Sequence, residues 1–209
     1  MELLLIRHAL PVRRELTTGA ADPELSEVGL QQARHLADYL SSERLDAVYT
    51  SPLRRALETA APVALAQGRT TVVIDGVAEW DRHASEYIPI EELKASGDPR
   101  WAEIVRGTWQ AGELSPLDFR TAVVAEIEAL IDAHAGERIA VVCHGGVIAA
   151  YVTAILGLAD PQPFFYPNYT SIHRVAAART GERSIVTLNE TAHLRSTGLP
   201  MGLFQGATS

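Results

Sequence analysis

Over the 21 residues from Ile139 to Ala159 the chain carries no Asp, Glu, Lys or Arg. A stretch that apolar either crosses a membrane or is covered on every side inside a layered globular fold. His144-Gly145-Gly146 in its middle decides the matter. The segment reads as a buried parallel strand, a turn, and a helix closed by Gly157 with Pro161 beyond. The same pattern begins the chain, where the apolar run Leu3-Leu4-Leu5-Ile6 stops at Arg7-His8.

Strands then alternate with helices, which predicts an α/β fold: three layers, α/β/α, around a mostly parallel central sheet. The helix after Ser26 carries Leu30, Ala33, Ala37 and Leu40 on one stripe, with Leu25 and Leu30 placed as a hydrophobic staple. A strand from Asp46 to Thr50 runs into a helix whose start is read at Ser51 as N-cap and Pro52 at the first helical position. Thr71 to Ile74 is a short buried strand. Asp118 to His134 forms a helix with Val123, Ile127, Leu130 and Ile131 facing the core, ended by Gly136. Thr170 to Ala177 and Arg183 to Leu188 are the later strands. The whole chain, residues 1–209, reads as one domain without internal repeats or low-complexity tracts.

Three strand ends carry chemistry. In an open α/β sheet, ligands bind at the carboxyl edge of the strands, and there the chain presents Arg7 with His8, Arg54, and His144. An imidazole attacks phosphorus only when neutral. The neighbouring guanidinium disfavours a second positive charge on it and offers a planar fork to phosphate oxygens. Arg54 falls in the first turn of its helix, where free N–H groups already favour an anion, so a cation there is best explained by an anion that both meet. Gly145 and Gly146 let backbone and ligand approach closely after His144.

With these segments in view, the chain resembles the histidine phosphatase superfamily, the group that includes the phosphoglycerate mutases. Leu4 to Ala9 resembles the family's RHG segment, and Leu25 to Ala33 its LSxxGxxQA helix start. Ser51 to Ala60 resembles SPLxRAxxTA, and Cys143 to Gly146 the second histidine. The resemblance implies that His8 is the phosphorylated nucleophile, that Arg7, Arg54 and His144 bind phosphate, and that Glu79 is the proton donor, so that the catalytic set is His8, Glu79 and His144. Ala9 stands in place of the family's glycine, Leu10 where many members have Glu or Gln, and Arg14 where many have a phosphate-contacting Asn. Arg14 is therefore a candidate for a second anionic group of the substrate.

Residues 80–115 break the alternation and hold all three tryptophans, Trp80, Trp101 and Trp109, in a chain only 6% aromatic. The segment is read as a cap insertion. Trp80, Arg82 and His83 follow Glu79 directly and are the substrate-binding candidates, while Trp101 and Trp109 anchor the insertion. The compact inserts and Leu10 favour a phosphomonoester hydrolase working through phosphohistidine on a small phosphorylated metabolite. A phosphoglycerate-type phosphomutase, or a noncatalytic module that binds phospho-ligands, is the alternative.

Composition excludes other classes. Against 26 acidic residues stand 18 basic ones, a net charge of −8, so a nucleic-acid surface is not expected. Lys94 is the sole lysine, and there is no GK[ST] loop for a nucleotide triphosphatase. A cysteine phosphatase needs Cys-x5-Arg, but Ala149 stands six residues after Cys143. No HExxH or HxH spacing exists, and Arg7 and Arg54 would repel a cation, so neither a metal nor another cofactor is expected. The single cysteine fits a reducing cytoplasm. Expected partners are the small phosphorylated substrate and at most a second copy in a homodimer, with no nucleic acid and no membrane.

Overall fold

In the computed structural model, which describes residues 1–106, 114–159 and 165–203, the apolar runs form the middle of one sheet. Its strands are β1 (Glu2–Arg7), β3 (Ala47–Thr50), β4 (Thr71–Val73), β6 (Arg138–Cys143), β7 (Ile172–Ala177) and β8 (Arg183–Glu190). Their order is β4-β3-β6-β1-β7-β8. The first four run parallel, and β7 and β8 add an antiparallel edge. The α/β class expected from the sequence is the observed one.

Why the central strands lack polar alternation is visible in the packing. Leu3 and Leu5 of β1 join Ile139, Val141 and Cys143 of β6 on one face, under α5 (Pro116–Ala133) and α6 (Gly145–Ile155). Leu4 and Ile6 join Ala140 and Val142 on the other, under α1 (Glu27–Leu40) and α2 (Arg54–Ala66). Both faces are covered, so the strand interiors, Leu3–Ile6 and Ile139–Cys143, are apolar throughout. Ser26 caps α1 by accepting from the Gly29 amide at 3.0 Å. The strand–turn–helix reading of 139–159 also holds as far as Gly157, which has the positive φ of a helix terminator. No helix among the described residues is long and apolar enough to cross a membrane.

The helix after β3 departs from expectation. It begins at Arg54, and its N-cap is Leu53, which makes no side-chain capping bond. Ser51 Oγ is instead committed to His144 Nε2 at 2.7 Å. The same oxygen accepts from the Leu53 amide at 3.3 Å, which closes a turn ahead of the helix, and the first helical turn starts later.

Between Trp80 and Arg106 lie β5 (Glu86–Tyr87), α3 (Ile90–Ser96) and α4 (Pro99–Arg106). β5 pairs antiparallel with β2 (Arg14–Glu15), which fastens this segment to the loop after β1. Trp101 lies near the Lys94 ammonium, 5.8 Å from ring centre. Trp109 and Pro161 fall outside the described residues.

Candidate active site

Strand register brings three chain reversals to one point. Arg7 pairs with Cys143 at the ends of β1 and β6, the His8 amide donates to the Cys143 carbonyl at 2.9 Å, and the Ser51 amide to the Val142 carbonyl at 3.0 Å. The ends of β1, β3 and β6 are thereby level, and a cavity of about 320 Å³ opens above them.

His8 is 3% exposed. Its Nδ1 lies 2.8 Å from the Ala9 carbonyl, so Nδ1 carries the hydrogen and the Nε2 lone pair is left for other work. Burial, then the charges of Arg55 and Arg7, hold this imidazole well below its ordinary range. His144 is fully buried, its ring centre 5.1 Å from that of His8. It is kept neutral by the same three influences, with His8 adding to them. Its Nδ1 is buried without a hydrogen-bond partner.

Two guanidiniums flank the nucleophile candidate. Arg7 donates through Nη1 to the Pro167 carbonyl at 2.6 Å, and its plane lies over Tyr169 and Tyr166, 4.2 and 4.9 Å from the ring centres. Arg55, 2% exposed, lies 4.7 Å over the Tyr87 ring and 3.6 Å from Asp81. The Nε–H of each is buried and unpartnered. Buried donors are nearly always satisfied in native proteins. Two orphaned guanidinium N–H groups beside an orphaned imidazole nitrogen make a site built for an oxyanion with several acceptor oxygens.

Arg54 is not part of it. Its side chain is half exposed and bound to Glu58 at 2.7 Å and Glu24 at 3.1 Å. Successive residues on a helix point about 100° apart, and the buried face of α2 runs through Arg55, Ala56, Thr59, Ala60 and Val63. Arg55 lies on that stripe and Arg54 does not. The i, i+4 spacing of Arg55, Thr59 and Val63 was the signal that distinguishes the two arginines.

Glu79 follows the 3-10 turn Asp75–Val77 and reaches the cavity from the opposite side. Its carboxylate accepts from the Gly146 amide at 2.9 Å and the Trp80 amide at 3.0 Å. A Cβ at position 146 would collide with this carboxylate, which accounts for the second glycine. Burial first, and the neighbouring Asp81 second, push its affinity for a proton up, against the pull of those amides and Arg55. Trp80 lines the cavity, stacks on Phe119, and donates to the Leu114 carbonyl.

The other substrate-binding candidates are elsewhere. Arg14 is bound to Glu24 at 2.6 Å, Arg82 makes two 2.7 Å bonds to Asp75, and His83 is exposed. None of the three lines the cavity. Each is drawn to a nearer acidic partner or to solvent. The helix-start motif, by contrast, supports the nucleophile loop. Gln32 accepts from the Leu10 amide at 2.8 Å, and Gly29 packs so closely on the Leu10 carbonyl that no Cβ would fit. Thr59 accepts from the Ala9 amide at 3.0 Å. Among the described residues no three His, Cys, Asp or Glu side chains are grouped to hold a metal ion.

Buried arginines around a neutral histidine, with a buried carboxyl of raised proton affinity lining the same cavity, are the features of a phosphoryl-binding site. Comparison with known proteins agrees with this class. Residues 3–191 match the model of the histidine phosphatase superfamily, branch 1, and the chain belongs to that family. It is an enzyme of the histidine phosphatase class. Phosphoserine phosphatase 1 of Hydrogenobacter thermophilus is 30% identical over 93% of this chain and 94% of its own. Phosphoglycerate mutase-like protein 4 of Arabidopsis thaliana is 34% identical over 98% and 92%. A phosphoserine phosphatase from Entamoeba histolytica, solved with phosphoserine, superposes with a TM-score of 0.73 at 25% identity, over 92% of this chain and 98% of the other.

Proposed function

We propose that the protein hydrolyses phosphomonoesters in two steps through a phosphohistidine on His8. The observation that carries this is His8 itself: buried, neutral, fixed at Nδ1 by the Ala9 carbonyl, and set between two guanidiniums with unpartnered N–H groups. In the first step the Nε2 lone pair attacks phosphorus and the P–O bond to the leaving alcohol breaks. Arg7, Arg55 and the Nδ1–H of His144, whose Nε2 accepts from Ser51, bind the phosphoryl oxygens as charge moves onto them. Glu79 in its protonated form gives its proton to the departing alkoxide. In the second step the Glu79 carboxylate takes a proton from water, the water oxygen attacks the phosphohistidine, and the N–P bond breaks to release phosphate and restore neutral His8.

The positive charge that a metal ion supplies in other phosphoryl-transfer sites comes here from the two arginines. Rapid mixing with substrate followed by an alkaline quench should trap an acid-labile phosphoenzyme, and His8→Ala should abolish both it and turnover. Wild-type turnover in that variant would overturn the assignment. Release of free phosphate, rather than an isomer with the phosphoryl group moved, separates hydrolysis from mutase action.

A further inference from the structure

The part of the cavity beyond the phosphate pocket is of a different chemical character. Its walls are Ile88 from the loop before α3, Ile90 and Leu93 from α3, Ile104 from α4, Phe119 from α5 and Ala149 from α6. Its charged groups are largely spoken for. Arg7 and Arg55 face His8, and the remaining cavity arginine, Arg100, donates through Nε and Nη2 to Asp98 at 2.9 and 2.7 Å, and through Nη1 to Glu86. The carboxylates of Glu79, Asp81 and Glu86 line the same space. A substrate carboxylate entering it would leave water and meet other carboxyl groups, with Arg100 already held by two acids. An apolar body entering it would lose only water contact.

Resting on the phosphatase reading above, we infer that the natural substrate class is a phosphomonoester whose alcohol part is apolar, of the size of one aromatic ring or a short branched chain, and carries no carboxylate. The volume, about 320 Å³, lies at the small end of the ~300–1,000 Å³ typical of small-molecule sites. It suits one such group and the phosphate. This places the chain apart from the phosphoserine named for two of its relatives, although the phosphate end of the site is common to both chemistries.

The test compares kcat/KM for phenylethyl phosphate, O-phosphoserine, phosphoglycerate and glycerol phosphate. All are alkyl esters, so leaving-group reactivity does not drive the ranking. A single methylene in an apolar pocket is worth roughly 10–200-fold. Phenylethyl phosphate should therefore exceed each of the others by about 100-fold or more. Ile104→Lys, a change on the partly exposed cap helix α4, should narrow the gap by lowering the first value and raising that for O-phosphoserine. O-phosphoserine or phosphoglycerate turned over as well as phenylethyl phosphate would overturn the inference and leave the phosphatase reading standing. An unchanged gap in Ile104→Lys would overturn it too. Folded protein inactive on all four would overturn both.

Discussion

Replacing each of the adjacent arginines of α2 in turn separates the site described here from the one that a neighbouring residue would make. Arg55 is buried against the Tyr87 ring with an unpartnered Nε–H, and Arg54 lies half exposed between Glu58 and Glu24. Loss of one preorganised donor to a transition-state oxyanion costs about 10²–10³ in kcat, or about 2.7–4 kcal/mol. Arg55→Ala should show at least that loss, since a guanidinium supplies both charge and a fork of donors. Arg55→Lys should recover only part of it, because an ammonium keeps the charge but neither the fork nor the flat contact with Tyr87. Arg54→Ala should stay within about twofold of wild type, as exposed ion pairs contribute little. The assay is kcat/KM on p-nitrophenyl phosphate with inhibition by inorganic phosphate as a second readout, which Arg55→Ala should weaken and Arg54→Ala should not. Thermal unfolding of each variant checks that the protein is folded. Loss of activity and of phosphate inhibition in Arg54→Ala, with both kept in Arg55→Ala, would refute the helical-face argument.

Three further outcomes follow from the same geometry. Glu79→Gln should lose far more activity on an alkyl phosphate than on p-nitrophenyl phosphate, whose leaving group needs little protonation; equal losses would move the proton donor to Asp81. Exhaustive chelation should leave the rate unchanged, and loss of activity restored by a divalent ion would contradict the arginine-based pocket. Acid should destabilise the fold. Burial holds His173 near a pKa of about 3 and His193 near about 4, well under the usual 6.5, so below pH 6.5 the unfolded chain binds more protons and stability falls as pH falls. The loss is about 1.4 kcal/mol per histidine for each pH unit, until the folded-state value is reached. Urea unfolding at pH 7 and pH 5 measures it, and His193→Asn should flatten the difference.

What was legible in the sequence and what was not divides along a physical line. Buried strands on both faces of a parallel sheet have to be apolar throughout, so β1 and β6 and the polar residues at their ends, Arg7, His8 and His144, could be placed without a structure. Glu79 came from the resemblance rather than from any pattern. The start of α2 could not be placed by local rules, because Ser51 is a cap by chemistry and a partner of His144 by position. Its hydroxyl serves that bond and the Leu53 amide together, in a turn that delays the helix to Arg54.

Charge alone was a poor guide to the outer pocket. Arg14, Arg82 and His83 attract attention as cations near the site, yet an arginine with an acidic neighbour in reach is neutralised there before any ligand arrives, as Glu24 and Asp75 show for the first two. The cations that face the cavity floor are those whose surroundings are aromatic. Tyr166 and Tyr169 around Arg7 and Tyr87 under Arg55 hold a guanidinium by its face and leave its edge for an anion. Those tyrosines come from two distant parts of the chain, Tyr87 from one and Tyr166 with Tyr169 from the other, so no single spacing announces them. In a chain of net negative charge, packing Arg55 on a ring, with Asp81 at 3.6 Å and Asp22 at 4.0 Å, leaves its buried Nε–H for phosphate.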